Sequence, residues 1–267
     1  MKKLFHPDSP ALEKKVEPGT TDISISVVSH AQITLVAELL RGLEAHCRDS
    51  RFELILTLNR DETLPFALDS FSYPIKLLRN GSHKGFGANQ NQAFSHASGR
   101  NFCVINPDIR LASNPFPALL SSLDNSSVGV VAPLVMNENG QLEDSARRFP
   151  TPFRILGKLF GRGWGPDYVV DAAPVCPDWV GGMFMLFPRH VFERLGGFDE
   201  GYFLYYEDVD ICARLRLRGQ EARLCPGACV VHQAQRHSHR NFRYLAWHLR
   251  SMLRFFLSSV YWQTRHR

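Results

Sequence analysis

Between Gly196 and Gly219 the chain reads GGFDEGYFLYYEDVDICARLRLRG and gathers acidic groups, among them Asp199, Glu207, Asp208 and Asp210, around the aromatics Phe203, Tyr205 and Tyr206. Acids at a helix start are favoured by the helix dipole, and Arg214, Arg216 and Arg218 before Gly219 make a sound helix end, so capping explains part of the pattern. It leaves the aromatics unexplained. A carboxyl group beside them is partly desolvated, which raises its pKa toward the range a general base needs. Glu207 and Asp208 are the candidates for that work.

A second acid stands about a hundred positions earlier. Asn106-Pro107-Asp108 ends an apolar run, and Pro107 stiffens the turn so that Asp108 projects at a sheet edge. An Asx turn is the plain explanation. The chemical one is a carboxylate holding Mg²⁺ or Mn²⁺ against a diphosphate, because such ions take few protein oxygens and complete their shell with phosphate and water. His232, after the apolar run ACVV, offers an imidazole to the same ion, although a histidine after a strand is commonly structural. Cys225, Cys229 and His232 lack the second half of a zinc site. The six cysteines form no CxxC pair and sit among apolar neighbours, as reduced core thiols do.

The segment Lys84-Gly85-Phe86-Gly87-Ala88-Asn89-Gln90-Asn91 is neither a P-loop nor GxGxxG. Its small residues let main-chain amides approach an anion, and its asparagines can bond a base or ribose. An ordinary strand-to-helix turn is the alternative.

These groups need a frame. Ile23 to Val28, Phe52 to Leu58, Ile75 to Leu78, Asn101 to Ile105, Val128 to Val135 and Trp179 to Phe187 read as strands, with helices from about Ala31 to Cys47 and Ala88 to Ala97. Strands alternating with helices predict a parallel sheet whose ligands sit at the carboxyl ends of its strands. Polar residues collect there: Ser29 and His30, Asn59 to Asp61, Asn80, Asn106 and Asp108. Residues 1–21, with three prolines and no apolar periodicity, read as a loose arm, and residues 136–177 as irregular chain.

Of the net charge of +5, the stretch from Ala222 to Arg267 carries +8 and the remainder −3. Such a tail suits nucleic acid, anionic lipid or a phosphorylated substrate. Phe242, Leu245, Leu249, Met252, Leu253, Phe256 and Val260 recur at helical intervals while Arg243, Arg250 and Arg254 lie largely off that stripe, which describes an amphipathic helix for the chain's own core or for a membrane surface. No apolar stretch approaches the ~20 residues that span a bilayer, and the N-terminal residues are too polar for a signal peptide, so the expected location is the cytoplasm, peripherally on the inner membrane face. A nucleic-acid-binding protein is disfavoured, since strand-like segments with acids at their ends make a poor groove reader.

The order of a strand, NPD, WVGGMFMLF (179–187), GGFDE (196–200), YFLYYEDVDICARL (202–215) and a later VVH resembles the family 2 inverting glycosyltransferases of the GT-A fold, and within them the bacterial rhamnosyltransferases of O-antigen and cell-wall polysaccharide assembly. The resemblance covers about Ile23 to His232. It implies an α/β GT-A fold, Rossmann-like with a mostly parallel sheet flanked by helices, over residues 22–235, followed by a basic amphipathic helical extension over 236–267. It implies that Asp208 is the catalytic base and that Glu207 positions the acceptor or the base. Asp108 is then the aspartate of a DXD-like motif, with His232 completing the metal shell; the first acidic position of that motif is Asn106 here, a poorer ligand for a hard cation. Ser29, His30, Lys84, Gly85, Phe86, Gly87, Asn91 and Asn106 fall on the nucleotide-sugar edge, with either Asn59 or Asp61 at the base, and Trp179, Gly181, Gly182 and Tyr206 on the acceptor side. The implied donor is dTDP-L-rhamnose, and the implied acceptor a polyprenyl-diphosphate-linked sugar such as N-acetylglucosamine. A UDP-hexose transferase and a catalytically silent nucleotide-sugar-binding protein are the alternatives.

Overall fold

The first strand, β1 (Ile23–Ser29), is covered on both faces, with Ile23, Ile25 and Val27 on one side and Ser24 and Ser26 on the other. A computed structural model of the chain describes residues 21–159, 165, 167–170, 173–233 and 242–266. The expected arm, apart from Thr21, and the expected boundary at 235/236 lie outside the described residues. After β1 come α1 (Ile33–His46), β2 (Phe52–Leu58), β3 (Ile75–Arg79), α2 (Phe86–Ser95), β4 (Asn101–Ile105), β5 (Ile109–Arg110), α3 (Phe116–Leu123) and β6 (Val128–Met136). They are followed by β7 (Ala146–Arg147), α4 (Pro152–Leu159), β8 (Trp179–Val180), β9 (Phe184–Pro188), α5 (Arg189–Leu195), α6 (Glu207–Leu217), β10 (Glu221–His232), α7 (Phe242–Leu257) and α8 (Ser259–Arg265).

Among the described residues eight strands form one sheet in the order β3-β2-β1-β4-β9-β6-β10-β5, and β7 and β8 pair separately. The pairs β1 with β2 and β4, β2 with β3, and β6 with β10 are parallel, as the alternation of strands and helices predicts. β9 is not: it lies antiparallel between β4 and β6. The expected single strand over Trp179 to Phe187 is therefore two strands, broken where Gly181 N donates to Ser145 O and Gly182 N to Asp208 Oδ2. These bonds draw the chain out of the sheet before β9 begins. β5, α3, β7, α4 and α5 are further additions to the expected set.

Two helix starts also differ from the periodicity. α1 begins at Ile33 because Ala31 takes a left-handed φ of 60° and the Glu62 carboxylate accepts from the amides of Ala31 and Ile33, satisfying donors a helix start leaves open. α2 begins at Phe86, two residues before the expected start. Cys176 and Cys229 are exposed, whereas the other four cysteines are buried as expected.

α7 and α8 dock by one face. Phe255 and Tyr261 join Tyr202, Tyr206, Val209 and Ala213 in a buried cluster beneath α6. The other face of α7 leaves Phe242, Leu245, Leu249, Leu253 and Leu257 exposed. Among the described residues no helix is long and apolar enough to cross a membrane.

Candidate active site

The loop before α6 is held in an unusual shape. Tyr205 and Tyr206 have φ of 69° and 68°, a left-handed conformation costing bulky residues of order 1–3 kcal/mol each, which persists only where packing over-determines it. α7 supplies that packing. Ser251 Oγ donates to Leu204 O at 2.8 Å, the Trp247 ring packs at a tilt against Phe203 with centroids 4.8 Å apart, His248 meets both tyrosines, and Arg254 pairs with Asp199 at 2.7 Å. The sharp turn leads directly into Glu207 and Asp208 at the first turn of α6.

The two neighbouring acids differ. Asp208 is half-buried, and its oxygens accept from Gly182 N at 3.0 Å and from Val209 N at 2.9 Å. Burial raises its pKa, and these amides pull it part of the way back. Glu207 is 5% exposed and its Oε2 has no hydrogen-bond partner. Burial first, and then the charge of Asp208, push Glu207 well above the ordinary glutamate range. Burial and the neighbouring charge raise Glu207 further than Asp208, which favours the proton on Glu207 and the negative charge on Asp208. Asp210, the third acid of the turn, is buried and paired with Arg214 at 2.7 Å.

Asp108 reaches the same edge through β9. Because β9 runs antiparallel to β4, its start at Phe184 faces the end of β4 at Ile105, and Asn106 N donates to Met183 O at 2.9 Å. One residue earlier, Gly182 touches Asp208; two residues past Asn106 is Asp108. A Cβ at Gly182 would lie 3.5 Å from both Asp208 Cβ and the Phe86 ring, so Phe86, the glycine and Asp208 form one wall.

β5 brings Asp108 to His232 by pairing Ile109 with His232 at the end of β10. The imidazole lies 3.2 Å by Nε2 from Asp108 Oδ2 and 2.8 Å by Nδ1 from Glu143 Oε2. Its pKa is pushed up to about 9, chiefly by the hydrogen bond to Asp108, against the effect of burial and with further help from the charge of Asp108 and from Glu143. Asp108 Oδ1 is buried without a partner. An orphaned carboxylate oxygen beside an imidazole fits a divalent cation that takes few protein ligands. Among the described residues no group of three or more His, Cys, Asp or Glu forms a cage, so Asp108 and His232 would hold such an ion jointly with a diphosphate.

The expected nucleotide edge divides. Ser29, fully buried, gives its hydroxyl to Glu62, and His30 stacks on His83 at 4.2 Å. Asn59 bonds both main-chain groups of Lys84, accepting from its N–H at 3.0 Å and donating to its carbonyl at 2.9 Å, so it pins the turn. Asp61 is exposed. Lys84 gives its ammonium to Gln92 at 2.6 Å, and Asn91 spends its amide on Phe198 and Glu200. Lys84, Gly85 and Asn91 line a groove of about 520 Å³ with Glu200 and Phe203, to which neither Asp108 nor Asp208 contributes. Gly85 serves packing: a Cβ there would lie 2.6 Å from Phe203 O, the atom that accepts from Phe86 N. The Phe86 amide of this turn is thus already bonded.

On the expected acceptor side, Trp179 is half-buried, with its Nε1 donating to Arg148 O and the Arg147 guanidinium 5.9 Å from its ring centre. Tyr206 is 8% exposed and packs on Phe255, which makes it part of the interior beneath α7 instead of an acceptor wall. Glu62, Glu143 and Arg147 were not singled out from sequence. A carboxylate two residues after a strand-end asparagine is the only signal that pointed near Glu62; Glu143 and Arg147 sit in a run of polar residues with none.

The family model described as Glycosyl transferase family 2 matches residues 24–187. Rhamnosyltransferase WbbL of Escherichia coli (strain K12) is 29% identical over 247 residues, 87% of this chain and 92% of that protein. N-acetylglucosaminyl-diphospho-decaprenol L-rhamnosyltransferase of Mycobacterium tuberculosis (strain ATCC 25618 / H37Rv) is 30% identical over 184 residues, 60% of this chain but only 59% of that protein. Among solved structures, the mannosyltransferase PcManGT from Pyrobaculum calidifontis in complex with GDP-Man and Mn²⁺ superposes with a TM-score of 0.63 at 18% identity, over 91% of this chain and 66% of that one. GalNAc-T7 with UDP, GalNAc and Mn²⁺ gives 0.63 at 15%, over 82% and 45%. At these identities the structural likeness speaks for the fold. The matched 24–187 stops short of α6, so the acid pair rests on its geometry.

Proposed function

Because the chain belongs to glycosyl transferase family 2 and is a glycosyltransferase, we propose that it moves L-rhamnose from dTDP-L-rhamnose, with inversion, onto a polyprenyl-diphosphate-linked sugar such as N-acetylglucosamine. The observation that supports a transferase mechanism is the link from Asp208 through Gly182 and Met183 to Asn106, which brings the Asp208 carboxyl group and the Asp108–His232 pair to one edge of the sheet. The rhamnosyl donor and lipid-linked acceptor rest on the activities named for the two curated relatives.

In this reading Asp208 takes the proton of an acceptor hydroxyl as that oxygen bonds to the anomeric carbon. The bond from that carbon to the diphosphate breaks on the opposite face, and the nucleoside diphosphate leaves with the electron pair. The amides of Gly182 and Val209 keep both carboxylate oxygens oriented, and protonated Glu207 adds no competing charge. Asp108 and His232 would hold Mg²⁺ or Mn²⁺, which supplies positive charge to the departing diphosphate. Phe86 beside Gly182 helps to exclude water from the reacting atoms.

The exposed apolar stripe of α7, flanked by Arg243 and Arg250 with no acidic residue on the helix, suits an anionic bilayer, where a polyprenyl acceptor resides. This supports a peripheral place on the inner membrane face. Leu249→Glu with Leu253→Glu should abolish partition onto anionic vesicles; unchanged partition would remove the role given to this stripe.

A donor panel of dTDP-rhamnose against UDP- and GDP-sugars, with lipid-linked acceptor and with or without Mg²⁺ and Mn²⁺, tests the whole reading. Rhamnosyl product from dTDP-rhamnose alone is the expected result. Transfer only from a UDP-hexose would replace the donor, and donor binding with no product from any pair would leave a silent binding protein.

A further inference from the structure

His232 touches two carboxylates, and only Asp108 belongs to the ligand pair described above. The other, Glu143, comes from a separate element. After β6 the chain turns back in a tight loop in which Asn137 N donates to Gln141 O at 2.8 Å and Gly140 N to Asn137 O at 3.0 Å. Glu143 N then donates to Val135 O at 2.7 Å, and Ser145 N to Glu143 O at 2.8 Å. Main-chain bonds on both sides of Glu143 therefore fix its Cα beside the end of β6, the parallel neighbour of β10 on which His232 stands. Its Oε2 meets His232 Nδ1 at 2.8 Å, and both side chains are mostly shielded from solvent.

We propose that Glu143 is a positioning residue: it holds the Nδ1–H of His232, so that the Nε2 lone pair is left on the Asp108 side for the cation. A neutral imidazole carries one N–H, and the nitrogen facing the stronger fixed acceptor keeps it. Once a cation occupies the Asp108 side, the carboxylate at Nδ1 determines both which nitrogen is bare and how electron-rich it is. Outer carboxylates of this kind orient the ring and raise its basicity, and their loss commonly weakens metal affinity ~10- to 100-fold. The inference rests on the cation reading given under the proposed function, and its test separates the two.

Mn²⁺ binding is followed by the loss of the free-ion EPR signal in the presence of dTDP, for the full chain and for Glu143→Gln, Glu143→Ala, His232→Ala and Asp108→Ala. Glutamine retains an acceptor for Nδ1–H but lacks the charge, so Glu143→Gln should fall between wild type and Glu143→Ala, the latter ~10- to 100-fold weaker than wild type. In the diamagnetic Mg²⁺ complex, ¹⁵N shifts of His232 should report protonated Nδ1 and bare Nε2 in the wild type and in Glu143→Gln, and a tautomer mixture in Glu143→Ala. If His232→Ala weakens Mn²⁺ while both Glu143 variants bind like wild type with the same tautomer, Glu143 has no positioning role and the cation reading stands. If neither His232→Ala nor Asp108→Ala changes Mn²⁺ affinity, the cation reading itself fails. Should Glu143→Ala not fold, Glu143→Leu, which has no acceptor for Nδ1–H, takes its place: wild-type Mn²⁺ affinity and the wild-type tautomer in it would overturn the positioning role, and wild-type affinity in Glu143→Gln would overturn the effect of the charge on Nε2.

Discussion

Two glutamates are buried at different places in this molecule, and they are treated in opposite ways. Glu53, on β2, is fully buried; its Oε1 accepts from Ser24 Oγ at 2.6 Å, from Ser98 N at 2.6 Å and from Ser98 Oγ at 2.8 Å, while Oε2 faces Lys76 Nζ at 2.9 Å. Burial pushes its pKa up, but the bonds from Ser24, Lys76 and Ser98 prevail and hold it below the ordinary value. Glu207 has an oxygen with no partner and another acid as its neighbour in sequence, and it is driven upward. Burial alone does not mark a functional acid. An acid held by serine donors and a facing lysine ties elements together, here β1, β2, β3 and the turn before β4; one with no cation beside it and a second acid as neighbour is a proton-holding arrangement.

The largest expected effect tests the chemical half of this contrast. Asp208→Asn keeps the shape and removes the base, so kcat should fall about 10²- to 10⁴-fold while the thermal unfolding midpoint stays near that of wild type. Wild-type turnover in this variant would remove the base from α6. The architectural half is tested next. Glu53→Gln leaves Lys76 facing an amide and should cost about 2–3 kcal/mol in denaturant unfolding, less than the ~3–5 kcal/mol for breaking a fully buried pair, because Lys76 is 37% exposed and can turn to water. The variant that still folds should retain kcat. A stable Glu53→Gln with impaired turnover would reverse the assignment of roles.

Much of this frame was legible because apolar runs mark covered strands whatever their neighbours: β1, β2, β4 and β6 lie where the sequence predicts them. Asn106-Pro107-Asp108 and His232 were also legible as a pair, since each follows such a run and ends at the same edge. The antiparallel direction of β9 was not, because strand order and sense depend on long-range pairing that local periodicity does not carry. The asparagines were misleading for a different reason. An amide that can bond a nucleotide can equally bond main chain, and Asn59 and Asn91 do the latter. Residue type gives the capability, and only the surrounding donors and acceptors decide its use. Lys84 illustrates the same point, with its ammonium taken by Gln92 on the groove side of the turn.

The smallest expected effect is the most discriminating, because the two glutamates give stability opposite dependences on pH. The native pKa of Glu53 is depressed from the ordinary 4.5, so its contribution is present above that value and is lost as pH falls through the native one. Glu207 is raised from the same 4.5, so the folded protein keeps a proton that the unfolded chain releases; its contribution is full below 4.5 and is lost as pH rises toward the native value. One such proton amounts to at most about 1.4 kcal/mol per pH unit across that window. Glu207→Gln removes the proton from both states, so unfolding free energies measured from pH 5 to pH 8 should decline less with pH than in the wild type, with the variant gaining relative stability at the alkaline end. Glu53→Gln should flatten the profile below pH 4.5 instead and leave the pH 5 to 8 slope alone. Equal slopes for wild type and Glu207→Gln would mean that Glu207 is ionised in the fold, and its role as the proton-holding neighbour of Asp208 would be lost.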